Sequence, residues 1–300
     1  MPSQRMSSPR AVRDALAALD IRPRKRWGQH FLIDANTVER IVASADLTPD
    51  DVVLEIGPGL GVLTERLADL AAAVVAIEID PKLSEWLRDR FHDAPNVGIV
   101  PGDALDLDWT ELLPAHAHGR IKALGNLPYN ATSPLLDRLI EHRESMDSAT
   151  WMVQREVAEK LLATPGTRKT STLGILVQSF CTVERAFNVS KNAFYPPPEV
   201  ESVVLTITMR ETPTFTAPEA AFRQAIRAAF GVRRKTLRRA LAIGLEISPE
   251  QAGQILRHAA IDERRRGETL SLEEFDRLAH AMAEKLDASA RHQGEERHSS

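Results

Sequence analysis

At 300 residues the chain is long enough for two packed domains, and 43% hydrophobic with 27% charged residues is ordinary for a soluble globular protein, which excludes a fibre. No apolar run approaches the ~20 residues of a membrane span and the first ten residues are polar, so no secretion signal or membrane helix is expected and the cytoplasm is the expected location. The net charge of -4 argues against a uniformly basic nucleic-acid binder, and a single cysteine, Cys181, excludes an internal disulfide and reads as a buried small hydrophobe.

In chain order, NTVERIVASA (36–45) reads as a helix capped by Asp34 or Asn36. Short β-rich runs then alternate with amphipathic stretches. VVLEI (52–56), AVVAIEI (73–79), VGIV (97–100), IKAL (121–124), TWMV (150–153) and SVVLTITM (202–209) are the expected strands. LGVLTERLADL, PKLSEWLRDRF, SPLLDRLIEH and EVAEKLLA carry apolar residues at helical spacing between them. The pattern predicts one doubly wound α/β domain with a parallel sheet. ETPTFTAP (211–218) reads as a linker, after which AAFRQAIRAAF, RKTLRRALAIG, SPEQAGQILRHA and SLEEFDRLAHAMAEKL are all helical in period. The expected division is a flexible N-terminus at 1–22, the α/β domain at 23–210, a small all-helical domain at 211–285 and a disordered tail at 286–300.

VLEIGPGLGVLTERL places Gly57, Gly59 and Gly61 between the first strand of that domain and its helix, where bare backbone turns sharply and lets a ligand approach. A tight turn without a ligand would use the same residues. Glu78 ends the next strand about 20 residues on, where a carboxylate accepts hydrogen bonds from ribose hydroxyls. Asp103, after the third strand, is placed to receive an adenine amine. Three strand ends thus converge on an adenosine-shaped site. Glu55, two residues before the first glycine, would repel a pyrophosphate and suits a cationic ligand, and EIGPGLG resembles the first motif of the class I methyltransferases that use S-adenosyl-L-methionine.

Asn126-Leu127-Pro128-Tyr129, at the end of the fourth strand, resembles the (Asn/Asp/Ser)-Pro-Pro-(Tyr/Phe) signature of amino-group methyltransferases. An exocyclic adenine amine is a poor nucleophile because its lone pair is delocalised into the ring. The side-chain oxygen of Asn126 and the carbonyl of Leu127 can hold both amine hydrogens and favour a tetrahedral nitrogen. Tyr129 offers a stacking face worth about 1–3 kcal/mol per base, and Pro128 keeps carbonyl and ring oriented. The competing reading is a proline turn with Asn130 or Thr132 capping the following helix. No metal is expected, since no His/Cys/Asp cluster appears.

RKRWGQHFLID (24–34), EIGPGLGVLTERL, AIEID, GDAL, GNLPYNATSPLL, VQREVAEKLLATPG, AFYPPPEVESVVL and FRQAIRAAFGVRRKTLRRAL together resemble, in order, the ribosomal RNA adenine dimethyltransferases, most closely the bacterial 16S type. The resemblance runs from about Pro23 to Leu241. It implies a Rossmann-like class I methyltransferase sheet with helices on both faces plus a small all-helical C-terminal domain. It implies cofactor contacts at His30, Leu32, Gly57, Gly59, Glu78, Asp103 and Asn126, and a target base held between Tyr129 and Phe194. Basic residues Arg233, Arg234, Lys235, Arg238 and Arg239, with the 234/238 and 235/239 pairs four apart, would meet RNA phosphate from one helical face. The substrate implied is 16S rRNA within an immature 30S subunit, two adjacent adenosines in its 3′-terminal hairpin loop being dimethylated at N6 by a monomer. Two features depart from the family: His30 stands where Asn is common, and Thr170-Ser171 replace a usual Tyr-Gly pair. Two alternatives stay open, a 23S rRNA methyltransferase of the macrolide-resistance type and a non-catalytic rRNA-binding assembly factor.

Overall fold

The computed structural model describes residues 8–24, 27–114, 121–232 and 234–298, with side chains described to residue 285. The chain divides into two compact units, one built from Met1–Ala158 and Thr182–Met209, the other from Glu159–Cys181 and Arg210–Ser300. The chain begins with α1 (Pro9–Ala18), β1 (Phe31–Leu32), α2 (Ala35–Ser44), β2 (Val52–Ile56), α3 (Val62–Ala68), β3 (Ala73–Glu78), α4 (Pro81–Arg90) and β4 (Val97–Pro101). It continues with α5 (Trp109–Leu112), β5 (Ile121–Asn126), α6 (Thr132–Glu141), β6 (Ser148–Gln154), α7 (Arg155–Leu161), α8 (Thr172–Phe180), β7 (Cys181–Val189), β8 (Phe194–Tyr195) and β9 (Ser202–Met209). Four helices close it: α9 (Glu219–Phe230), α10 (Leu237–Gly244), α11 (Pro249–His258) and α12 (Leu272–His298). No helix among the described residues is long and apolar enough to cross a membrane.

Seven strands form one sheet in the order β4-β3-β2-β5-β6-β9-β7. β2 runs parallel to both β3 and β5, and β5 parallel to β6, with Leu54 facing Val75 on one side and Ala123 on the other. Every residue of β2 is buried, which accounts for its apolar and β-branched composition apart from Glu55. From β2 the chain winds outward through β3 and β4, then returns to β5 on the opposite side, so the carboxyl ends of β2 and β5 form the switch point where open α/β sheets bind ligands. Helices α2 and α3 pack Ile41, Val42, Leu63 and Leu67 against Val53, Val74 and Leu124 of the sheet. Asp34 caps α2 by accepting from the Thr37 amide at 3.1 Å. At the amino ends of β2 and β5 a buried ion pair joins Lys122 and Asp51 at 3.2 Å, and the same ammonium donates to the Ala45 carbonyl at 2.8 Å and to that of Asp46.

Several expectations are corrected. The sheet is mixed, because β9 pairs antiparallel with β6. The strand β7 escaped the sequence reading since only its residues 181, 187 and 189 are buried, which breaks the period-2 signal. Residues 9–18, expected to be flexible, form α1: Ser8 caps it, Pro9 starts it, and Ala11, Val12 and Leu16 bury themselves against Phe31, Leu60 and Leu83. Lys82 pins its far end through the Asp20 carbonyl at 2.9 Å. The helix α12 extends to His298 over residues expected to be disordered, a segment rich in good helix formers. Residues 1–7, Lys25, Arg26, Arg233 and 299–300 lie outside the described residues.

The helical unit also takes in residues 159–181, which sequence order places in the α/β domain. The physical reason is aromatic: Phe180 at the end of α8 meets Phe215 edge-on at 5.3 Å, and Phe215 stacks on Phe222 of α9 at 4.0 Å. The expected linker is therefore docked, and Asp276 accepts from the amides of Thr216 and Ala217 at 2.9 Å each. Thr170 and Ser171 are buried; the hydroxyl of Ser171 caps α8, accepting from the Gly174 amide at 3.0 Å.

Candidate functional site

The glycine loop lies at the switch point, with Gly57, Gly59 and Gly61 at φ of 70°, 59° and 74°. Only glycine adopts this left-handed region without strain. The destinations of its amides carry more information than its shape. Gly57 donates to the Ile77 carbonyl at 3.0 Å, Gly61 to the Pro58 carbonyl at 2.9 Å, and Gly59 to a carboxylate oxygen of Glu78 at 3.0 Å. A phosphate-binding loop needs amides directed at the anion. Here all three glycine amides are spent inside the protein, one of them on an acid, and a phosphate would find no glycine donor.

Glu78 is 4% exposed and accepts from the Asp80 amide with its other oxygen at 2.9 Å. Burial pushes its pKa up to about 7 against those hydrogen bonds. Glu55 corrects an expectation: it is 1% exposed and its carboxylate takes the Thr64 hydroxyl at 2.6 Å within α3. Burial, opposed by that bond and reinforced by Glu78, raises it to about 7 as well. Its influence on a ligand is thus a field from behind the loop rather than a contact.

Two cavities share Trp27, Gly57, Ile79 and Pro128. One of about 290 Å³ is lined also by Asp103, Leu105 and Asn130; the other, of about 70 Å³, by Glu78, Gly59, His30 and Asn126. Leu32, buried in β1, lines a further small space of about 40 Å³ with Gly57 and Asn126. The structure therefore gathers the expected cofactor residues His30, Leu32, Gly57, Gly59, Glu78, Asp103 and Asn126 around one connected stretch of cavities. It adds Trp27, Ile79 and Leu105. Trp27 had a signal in RKRWGQHFLID, where a large aromatic follows a basic run and precedes a glycine. Ile79 and Leu105 carried none beyond adjacency to Glu78 and Asp103.

The donor set fits S-adenosyl-L-methionine. A buried acid stands at the end of β3, Asp103 borders the larger cavity, the amides of Gly57, Gly59 and Gly61 are all engaged within the protein, and a Cβ at Gly57 would meet only the Asn126 carbonyl at 3.9 Å.

At the end of β5, the Asn126 amide nitrogen donates to the His30 carbonyl at 2.8 Å, which leaves its Oδ1 as the end for an incoming donor. The Leu127 amide is bonded to the Met152 carbonyl at 3.1 Å. Pro128 and Tyr129 lie under Gly28, whose absent Cβ would stand 3.3 Å and 3.2 Å from their backbone. The Tyr129 hydroxyl shares a 2.8 Å hydrogen bond with Ser202, and burial raises its pKa. The helix-cap alternative fails: α6 is capped by Ala131 with no side-chain bond, and the Thr132 hydroxyl goes to the Pro128 carbonyl at 3.2 Å.

Phe194 is a correction. It is 2% exposed, paired with Leu32 across the small β1–β8 sheet and packed into the core, so it backs the site and presents no open stacking face. In the helical unit, Arg234, Lys235 and Arg239 are exposed, but Arg234 and Lys235 precede the Thr236 cap of α10, and the expected shared helical face does not exist. Arg238 is committed to Glu263 at 3.1 Å and the Pro249 carbonyl at 2.8 Å. Cys181 is fully buried, and burial pushes its thiol up to about 12.

A family model described as ribosomal RNA adenine dimethylase matches residues 21–284. A protein of Pelotomaculum thermopropionicum named ribosomal RNA small subunit methyltransferase A is 44% identical over 94% of this chain and 98% of its own. One of the same name from Geobacter metallireducens is 42% identical over 87% and 96%. Among solved structures, a dimethyladenosine transferase from Plasmodium falciparum superposes with a TM-score of 0.70 at 28% identity, covering 83% of this chain and 96% of that one. The 23S rRNA methyltransferase ErmE does so with 0.63 at 28%, covering 84% and 98%. With the three loop-glycine amides turned inward, an Asn-Leu-Pro-Tyr loop at the switch point and a match spanning both units, the chain belongs to the ribosomal RNA adenine dimethylase family.

Proposed function

We propose that this protein transfers methyl groups from S-adenosyl-L-methionine to the N6 amines of two adjacent adenosines in the 3′-terminal hairpin loop of 16S rRNA, within the immature 30S subunit, as a cytoplasmic monomer. The observation that carries the reading is the clamped Asn126 amide: with Nδ2 given to His30, Oδ1 is oriented as an acceptor. Bound S-adenosyl-L-methionine supplies an electrophilic methyl group. Glu78 and Asp103 hold its ribose and adenine, with Trp27 and Ile79 lining the space between. Asn126 Oδ1 and the Leu127 carbonyl accept the two hydrogens of the target amine and favour the tetrahedral nitrogen whose lone pair attacks. Tyr129 stacks the extruded base, and Pro128 keeps Leu127 and Tyr129 in register. The methylated nitrogen is strongly acidic and loses its proton to water, so alignment supplies most of the acceleration. In the helical unit, exposed Arg234, Lys235 and Arg239 meet RNA phosphate.

A 23S substrate is favoured by the likeness to ErmE at 28% identity, whereas relatives named for the small subunit stand at 37–44%. Mass spectrometry of 16S and 23S rRNA from a deletion strain tests the choice: dimethyladenosine is lost from the 16S 3′ hairpin and restored by the wild-type chain. Asn126→Ala is expected to cut transfer by at least about a hundredfold, the scale of a misaligned reacting pair. Loss confined to 23S rRNA would overturn the substrate, and undiminished transfer by Asn126→Ala would remove that residue's role.

A further inference from the structure

The His30 side chain has no role in the methyl transfer proposed above, yet it stands where the segment 27–32 meets the Asn126–Tyr129 acceptor loop. Its ring stacks on that of Tyr129, with centroids 5.4 Å apart and planes 28° from parallel. One ring nitrogen, Nδ1, lies 2.8 Å from the Pro196 carbonyl, which can only accept, so Nδ1 carries a hydrogen there. Its own carbonyl receives the Asn126 amide. Gly28, two residues earlier, brings the same segment against the backbone of Pro128 and Tyr129. One residue therefore touches the hydrogen-bonding side chain and the stacking ring of the acceptor loop, and is itself braced from residue 196.

We propose that His30 is a positioning residue for the target adenine: its imidazole backs one face of Tyr129 and holds that ring so that only the opposite face receives the base. The proposal rests on the methyl-transfer reading above. It departs from the expected cofactor role of His30, because the side chain's ring contact and hydrogen bond are to Tyr129 and Pro196. A planar ring supported on one face loses little freedom when a base stacks on the other, whereas an unsupported ring must be immobilised at that moment.

The test uses the full chain with His30→Ala, His30→Phe and His30→Asn, measuring calorimetric affinity for S-adenosyl-L-methionine and steady-state methyl transfer to small subunits lacking the modification. His30→Ala is expected to raise KM for the RNA particle about tenfold, the size of a lost aromatic stack, with cofactor affinity within about twofold of wild type. His30→Phe keeps a ring and restores most of the KM; His30→Asn keeps a donor for Pro196 and does not. Cofactor affinity falling in step with RNA KM, rescue by Asn instead of Phe, or no change in any variant would each overturn the proposal. Should His30→Ala fail to fold, the comparison of Phe with Asn decides alone. A wild-type chain inactive on the particle would defeat the methyl-transfer reading itself, an outcome distinct from an active wild type with the wrong variant pattern.

Discussion

Glu78 is the residue through which ligand binding is expected to depend on pH. Its folded pKa, raised by burial to about 7, lies above the ordinary glutamate range. Between that range and about 7 the folded state holds a proton that the unfolded state has lost. Its contribution to stability is thus fully present at lower pH, declines as pH rises through this window and is constant above it. On the proposed ribose contact, ligand affinity is expected to run the other way, since the ionised carboxylate is the better acceptor for ribose hydroxyls and the better partner for a cation. Titration calorimetry from about pH 6 to pH 8 is expected to show tightening affinity for S-adenosyl-L-methionine. Glu78→Gln binds more weakly and loses most of that slope, whereas an unaltered slope would assign the pH dependence elsewhere, with Glu55 the next group to test.

At the scale of elements, the turn from β2 into α3 depends on Gly61. It sits at φ 74° as the cap of α3, and an added Cβ would come within 2.8 Å of the Phe91 ring. Gly61→Ala combines left-handed strain with that crowding and is expected to cost roughly 1–3 kcal/mol in denaturant unfolding. The pair Lys122–Asp51 is the other element-level junction, joining the start of β5 to the segment before β2. Burial opposes the charge on Asp51, but hydrogen bonds from Thr48 and Lys122 outweigh it and hold its pKa below the usual carboxylate value. That contribution is present at neutral pH and is lost as pH falls through the depressed pKa. Lys122→Ala leaves a buried carboxylate without its cation and is expected to destabilise by about 3–5 kcal/mol at neutral pH. Equal stability of mutant and wild type would show that the pair is compensated.

For the whole molecule, a net charge of -4 coexists with RNA as substrate because the cations are distributed unevenly and many are already paired. Arg265 is committed to Glu274 at 2.5 Å and Arg238 to Glu263, while Arg234, Lys235 and Arg239 remain exposed. Each exposed residue that meets a phosphate is expected to steepen the salt dependence of RNA binding by roughly 0.7–0.9 in log K against log salt. Filter binding across a salt series therefore separates the groups: Arg239→Ala flattens the slope by about one such increment, whereas Arg265→Ala lowers the folding midpoint and leaves the slope of the folded protein unchanged. Identical slopes for Arg239→Ala and wild type would remove Arg239 from the interface.

The sequence by itself determined the order of β2 to β6 with α3, α4 and α6 between them, and the positions of the glycine loop, of Glu78 and Asp103 and of the Asn126–Tyr129 loop, because each is written in local spacing: turn residues after a β run, then helical period. Tertiary structure alone decided the rest. Whether a glycine amide faces a ligand or an internal acceptor depends on Ile77 and Glu78, some 20 residues away, and no spacing encodes it. Phe194, expected as a stacking face, lies in the core where β8 pairs with β1. Residues 159–181 joined the helical unit through Phe180 and Phe215, whose meeting requires the chain to return across a whole strand excursion. Local pattern reports what a segment can form; burial and hydrogen-bond partners are settled by which distant segments reach it.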